Sequence, residues 1–245
     1  MFDRKIKYEM LEDMYEIDRK ESIIDLFIQP TLKNKSCWWK NLSGFVGENS
    51  SNFEYIKTLH NDYIKGGTLR SVNTAATVRQ CPAVTGIFKN SYIIKSPSDM
   101  VITLTSDGGY VYNSANDFMK VTSHPTEQFH TEKDNLFEGK MNLKFELPIA
   151  LKTDKIPYLF LQPMYHNNIW FTVAIGVIEE KYTDRIKLNI NTLVDIPKDE
   201  PVTYEIKAGD VLAYMWFPEK TKLVRSKDKF YEPIFKTKWS SKIKF

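Results

Sequence analysis

The chain carries four histidines, two cysteines and 31 acids with which to do chemistry. His124, Glu127 and His130 lie close in sequence, and His166 follows on what reads as the next pair of strands. A double-stranded β-helix metal site needs a His-x-His or His-x-Asp pair, because alternate residues of a strand share one face. None of His124, His130 and His166 begins such a pair. These three are the metal candidates, without a complete ligand set, and neither a metal nor another cofactor is expected. Ser123 and His124, with Pro125 to Glu127, read as the opening of a polar loop. Cys37 and Cys81 stand too far apart in number and spacing for a disulfide scaffold or a four-ligand zinc finger. Cys81, just ahead of Pro82 and an apolar helix, reads as a buried small hydrophobe and not a nucleophile. A nucleophile elbow, a phosphate-cradling glycine loop and a dinucleotide fingerprint are all missing. One acid remains, Glu179, at the end of the apolar run Gly176-Val177-Ile178.

The elements that would hold these residues are mostly strands. Residues 23–28, closed by Pro30, read as a strand, and residues 1–25 fit a helix or a strand equally. Short helices are expected at Ser36 to Lys40 and from Phe53 to Ile64. A third should run from about Cys81 to Lys89, with Pro82 in its first turn and Asn90 as its stop. Asp107-Gly108-Gly109 between Val101 to Thr105 and Tyr110 to Tyr112 is a hairpin signal. Strands follow at 144–147, 158–161, 170–179, 185–191, 202–206 and 211–217, with Gly209-Asp210 read as the turn of a last hairpin. Many short strands between turn residues predict a mainly-β fold. The expected form is an antiparallel sandwich, β-clip or jelly-roll-like body with a few short helices in the first third.

Two resemblances follow from these motifs. The stretch from Gly176 through Ala208-Gly209-Asp210 to Phe217 resembles the dUTPase and dCTP deaminase superfamily. There a Gly-Val-Ile-Asp segment carries the acid that activates water, so the resemblance implies Glu179 as general base of a nucleotide hydrolase or deaminase. The superfamily's Ala-Gly-x-Asp-Leu, Arg-Ser-Ser and glycine-rich C-terminal motifs do not occur. Without donors for a triphosphate, an acid alone does no hydrolysis. A second set of motifs runs from about Cys37 to Glu219. It includes Arg79-Gln80-Cys81-Pro82, Tyr92-Ile93-Ile94, Asp99, His124-Pro125, Leu161-x-Pro163, Gly176 to Glu179 and the Gly209-Asp210 turn. In that order they resemble an uncharacterised β-rich family of marine tailed phages, with Asn90-Ser91 where that family has Gly before Tyr92. This resemblance implies a phage origin and no established activity.

Charge divides the chain. The segment 219–245 holds nine bases and three acids, which makes it +6 and leaves the preceding 218 residues at −3. The expected organisation is one domain over 1–218 and a basic, aromatic arm over 219–245. Phe230, Tyr231, Phe235, Lys236, Lys238, Trp239, Lys242 and Phe245 are the residues with which that arm would bind a partner, rings packing while the lysines stay in water. The reading is a non-enzymatic virion-associated structural protein: a decoration, neck or tail accessory component, made in the host cytoplasm. Its partners would be other virion proteins in a homo-oligomer or larger assembly. The alternatives are the superfamily enzyme and a nucleic-acid binder whose arm stacks on bases. No apolar run is long enough for a membrane-spanning helix, so no membrane partner is expected.

Overall fold

The computed structural model describes residues 4–11, 24–33, 81–124, 138–154, 156–163, 170–179 and 187–231. The expected helices at 36–40 and 53–64 lie outside them. The chain divides into two compact units, one of Met1–Gln29 with Tyr92–Phe245 and one of Pro30–Ser91.

The larger unit is mainly β, a sandwich-like body of antiparallel sheets. Sheet A takes β1 (Arg4–Met10), β6 (Lys120–His124), β7 (Lys140–Lys152), β9 (Thr172–Val173), β11 (Lys187–Asp195) and β14 (Thr221–Arg225). Sheet B has the order β10 (Val177–Ile178), β8 (Tyr158–Leu161), β13 (Val211–Trp216), β3 (Ser91–Lys95) and β2 (Ile28–Pro30). Sheet C places β4 (Met100–Leu104) between β12 (Val202–Ile206) and β5 (Tyr110–Ser114).

β7 organises sheet A. Its alternate residues Met141, Leu143, Phe145, Leu147, Ile149 and Leu151 enter one core with Ile94 and Leu212 of sheet B and Ile102 and Leu104 of sheet C. A strand has two edges, and β7 is long enough to fill both. β11 pairs along one edge, while β6 and β1 follow one another along the other. β14 closes the sheet parallel to β1, Ile6 beside Leu223. Thr221–Arg225 fall within the segment whose sequence reads as the start of the arm. Tyr92 holds this last strand from sheet B: its hydroxyl donates to the Thr221 carbonyl at 2.9 Å and accepts the Leu223 N–H at 3.2 Å.

Several expectations change. Within residues 23–28, Ile24–Phe27 form a helical turn, α1, and only Ile28–Pro30 are extended. The reason is burial, since Ile24 and Phe27, three apart, both reach the core and one turn of helix puts them on the same side. Ser123 and His124 are not loop but the end of β6, opposite Leu143 and Asn142. Residues 170–179 are not one strand; β9 and β10 belong to different sheets, and the chain crosses between them at Ala174, Ile175 and Gly176.

The Gly209-Asp210 turn is also no hairpin, because β12 lies in sheet C and β13 in sheet B. Residues 207–210 form a corner against residues 96–99, where β3 passes into β4. Ser96 donates its N–H to the Asp210 carbonyl at 2.9 Å and accepts that of Gly209 at 2.8 Å. The Asp99 carboxylate accepts the Ala208 N–H at 2.8 Å, and Asp210 accepts that of Lys207 at 2.7 Å. Gly209 has φ +92°, a conformation that costs a residue with a Cβ. The Asp107 turn is the expected hairpin, with Ile102 beside Tyr112. A Cβ on Gly109 would stand 2.7 Å from the Thr105 hydroxyl, so a larger residue there would have to push that hydroxyl off its hydrogen bond to Asp107.

In the smaller unit, α2 (Pro82–Lys89) starts with Pro82 in its first turn and stops at Asn90, as its sequence predicts. Cys81 precedes it, half-buried and reduced, and Phe88 is buried. The Thr31 and Ser91 hydroxyls share a buried hydrogen bond of 2.8 Å.

Candidate functional site

The outer face of sheet A is built by the residues between the core positions. Register sets three rows across β6, β7 and β11. His124, Asn142 and Leu193 form one, Thr122, Lys144 and Asn191 the next, Lys120, Glu146 and Asn189 the third. Further along β7 the face continues through Ala150, flanked by Glu9 of β1 and Lys187 of β11.

The middle of this face is polar yet withdrawn from water. Lys144 and Glu146, two apart on one strand and therefore on one side, are ion-paired at 2.6 Å with side chains only 18% and 19% exposed. Thr122 donates its hydroxyl to Glu146 at 3.1 Å. Burial pushes the Glu146 carboxyl up, but Lys144, Thr122 and Lys187 together outweigh it and hold the group below its ordinary value. His124 is shifted down, first by partial burial and then by the Lys144 charge, against an opposing pull from Glu146. The imidazole is therefore biased to its neutral form.

Asn142 is 1% exposed and lies in the first row. Its Nδ2 and Oδ1, with Oδ1 of Asn189 and Oδ1 of Asn191, are buried without a hydrogen-bond partner. Among the described residues the fifth such side-chain atom is the Thr221 hydroxyl, so four of five fall on this patch. Each unsatisfied group costs about 1–3 kcal/mol. Folded proteins pair nearly all buried polar groups, and a cluster of exceptions requires an explanation.

At the other end of the same face, Glu9 is 7% exposed and accepts two backbone N–H groups of the C-terminal segment. Phe230 donates at 2.7 Å and Tyr231 at 2.9 Å, both to Oε2. These two residues, expected from sequence to meet a partner, are thus tied by their backbone to their own sheet, while their side chains stay half-buried. Phe235, Lys236, Lys238, Trp239, Lys242 and Phe245 lie outside the described residues.

Glu179 follows β10, the two-residue edge strand whose Val177 and Ile178 pair with Leu159 and Tyr158. It is exposed, as are Ile175 and Val177 before it. Glu179 follows an edge strand of sheet B, whereas His124 ends β6 of sheet A. His130, His166, Glu127 and Cys37 lie outside the described residues. Among the described residues no three His, Cys, Asp or Glu side chains are grouped to hold a metal, and no helix is long and apolar enough to cross a membrane.

Sequence reasoning passed over Asn142, Asn189, Asn191, Thr122, Lys144 and Glu146. A signal was present: Asn is depleted in strands, yet Asn189 and Asn191 alternate with buried Leu188 and Ile190. Comparison with protein-family models, with curated proteins and with solved structures finds no match to this chain.

Proposed function

We propose that the chain is a virion-associated structural protein, binding other virion proteins through its surface and the terminal segment beyond Tyr231. The observation that carries this reading is the Glu9 carboxylate holding the N–H groups of Phe230 and Tyr231. A binding arm works best when its root is fixed, because a fixed root lowers the entropy lost when the rest engages a partner. Beyond that root the sequence supplies Phe235, Trp239 and Phe245 interleaved with Lys236, Lys238 and Lys242. Rings that bury and bases that stay at the rim suit a protein surface. The resemblance to tailed-phage proteins supports a virion as that assembly, with a homo-oligomer or a larger assembly as partner.

The test is biochemical. Particles purified from an infected culture should contain the chain in a fixed copy number, by quantitative mass spectrometry. A chain ending at Tyr231 should remain folded and fail to enter particles. Absence from purified particles, or full incorporation of the shortened chain, overturns the proposal.

A further inference from the structure

We propose that the edge strand β10 of sheet B receives residues 235–245 of a second copy of this chain as an added strand. From Phe235 to Phe245 every apolar side chain stands at an odd position and all four lysines at even ones. That period of two is the pattern of a strand with one apolar and one basic face. A strand is not stable alone and must join a sheet. Among the described residues β10 ends sheet B, and no charge or proline guards it from Trp170 to Ile178. At the opposite edge of the sheet, Pro30 stands in β2. Ile178 packs on the core, which turns Val177 outward. Val177, Leu159 and Trp216 then form one apolar row across β10, β8 and β13, with Leu161 and Tyr214 in the next. Val177 is 60% exposed and Ile175 before it 73%, while Leu159, Leu161 and Trp216 are half-buried. Phe235 and Trp239 of an added strand extend this face, and main-chain hydrogen bonds to β10 hold it in place. Behind the edge strand β5 of sheet C, the rows hold Thr103 with Thr203 and Val101 with Glu205, which suit large rings less. Charge agrees with the choice, since the chain leaves β10 through Glu179 and Glu180, opposite in sign to the four lysines.

The donor is a second copy because of where the segment is rooted. From Glu9, an arm returning to its own β10 must pass β7, β11 and β9 and run from the level of Lys187 to that of Thr192. That is about 14 Å across and about 17 Å along, or about seven extended residues in all. Phe235 to Lys238 would be used up in transit, whereas the edge of a neighbouring copy takes the alternation from its start.

This contact rests on the assembly reading and supplies its geometry. Particle content tests that reading, whereas self-association of the purified full chain tests this one, so the two can fail separately. Sedimentation velocity over a concentration series should show the full chain forming dimers or larger oligomers. Val177→Lys, at an exposed position, and Trp239→Ser, on the arm, should each weaken that association by at least about tenfold. A benzophenone side chain in place of Ile175 then identifies the occupant. Chain carrying it is mixed with isotope-labelled wild type and irradiated, and labelled peptides from residues 232–245 should be captured. A monomer at every soluble concentration overturns the proposal, as does association that either folded variant leaves unchanged. Crosslinks that hold no labelled arm peptide overturn it too, whether the captured peptide is the copy's own arm or another copy's β10.

Discussion

At the corner between sheets B and C, the polar groups that turn inward meet partners supplied by the neighbouring loop. Ser96 exchanges backbone hydrogen bonds with Gly209 and Asp210, its hydroxyl donates to the Ser98 carbonyl at 2.6 Å, and Asp99 takes the Ala208 N–H. On the outer face of sheet A, Asn142 is buried just as deeply and its amide meets nothing. Both regions are polar and both are placed by register. The corner spends its polar groups on the fold, since each bond ties one strand passage to the other. The sheet face leaves its groups unpaired, at a cost to stability.

The comparison breaks most visibly at the corner. Ser96→Ala removes a buried donor and leaves the Ser98 carbonyl unpaired, so the unfolding free energy should fall by about 2 kcal/mol in urea titration. Gly209→Ala forces a Cβ into the left-handed region at φ +92° and should cost about 1.5 kcal/mol by the same measurement. If neither variant moves the urea midpoint, the corner is not a structural lock.

Asn142→Leu has the opposite sign. It replaces an amide that gains nothing in the free protein with an apolar group of similar volume. Stability should stay within about 0.5 kcal/mol of wild type or rise by about 1 kcal/mol. A loss of 2 kcal/mol or more would place Asn142 with Ser96 as a structural residue and remove the contrast.

The contrast was only half legible in the sequence. The Asp107 hairpin, α2 with Pro82 in its first turn, and strands β8, β12 and β13 follow from local chemistry: turn glycines, proline placement and apolar runs bounded by breakers. β6 and β14 did not, because Lys-Val-Thr-Ser-His and Thr-Lys-Leu-Val-Arg put few apolar residues on the core face, so that Ser123 and His124 read as loop and Thr221 to Arg225 as basic arm. β7 read as four residues and is 13 long, since Lys144, Glu146 and Pro148 on its outer face interrupt the apolar pattern. The rows themselves depend on how β6, β7 and β11 pair. No local pattern states that Thr122 lies beside Lys144, or Lys144 beside Asn191. Glu179 shows the reverse error, a motif conspicuous in sequence that ends as an exposed residue after an edge strand.

The smallest expected effect concerns pH, and it separates His124 from Glu146 on the sheet face. The His124 pKa lies below its ordinary value of 6.5 in the folded state. Between 6.5 and that lowered value the unfolded chain binds the proton more readily than the folded one, so stability falls as pH drops through this window. Glu146 is also shifted down, from an ordinary value of 4.5, and its contribution is present above that value and lost only at lower pH. The melting temperature followed from pH 8 to 5 therefore reports His124 apart from Glu146. His124→Gln should flatten that slope while leaving the acid limb below pH 4.5 in place. An unchanged slope between pH 8 and 5 would mean that the imidazole titrates as it does in water, and that the middle of the face is wetter than its burial implies.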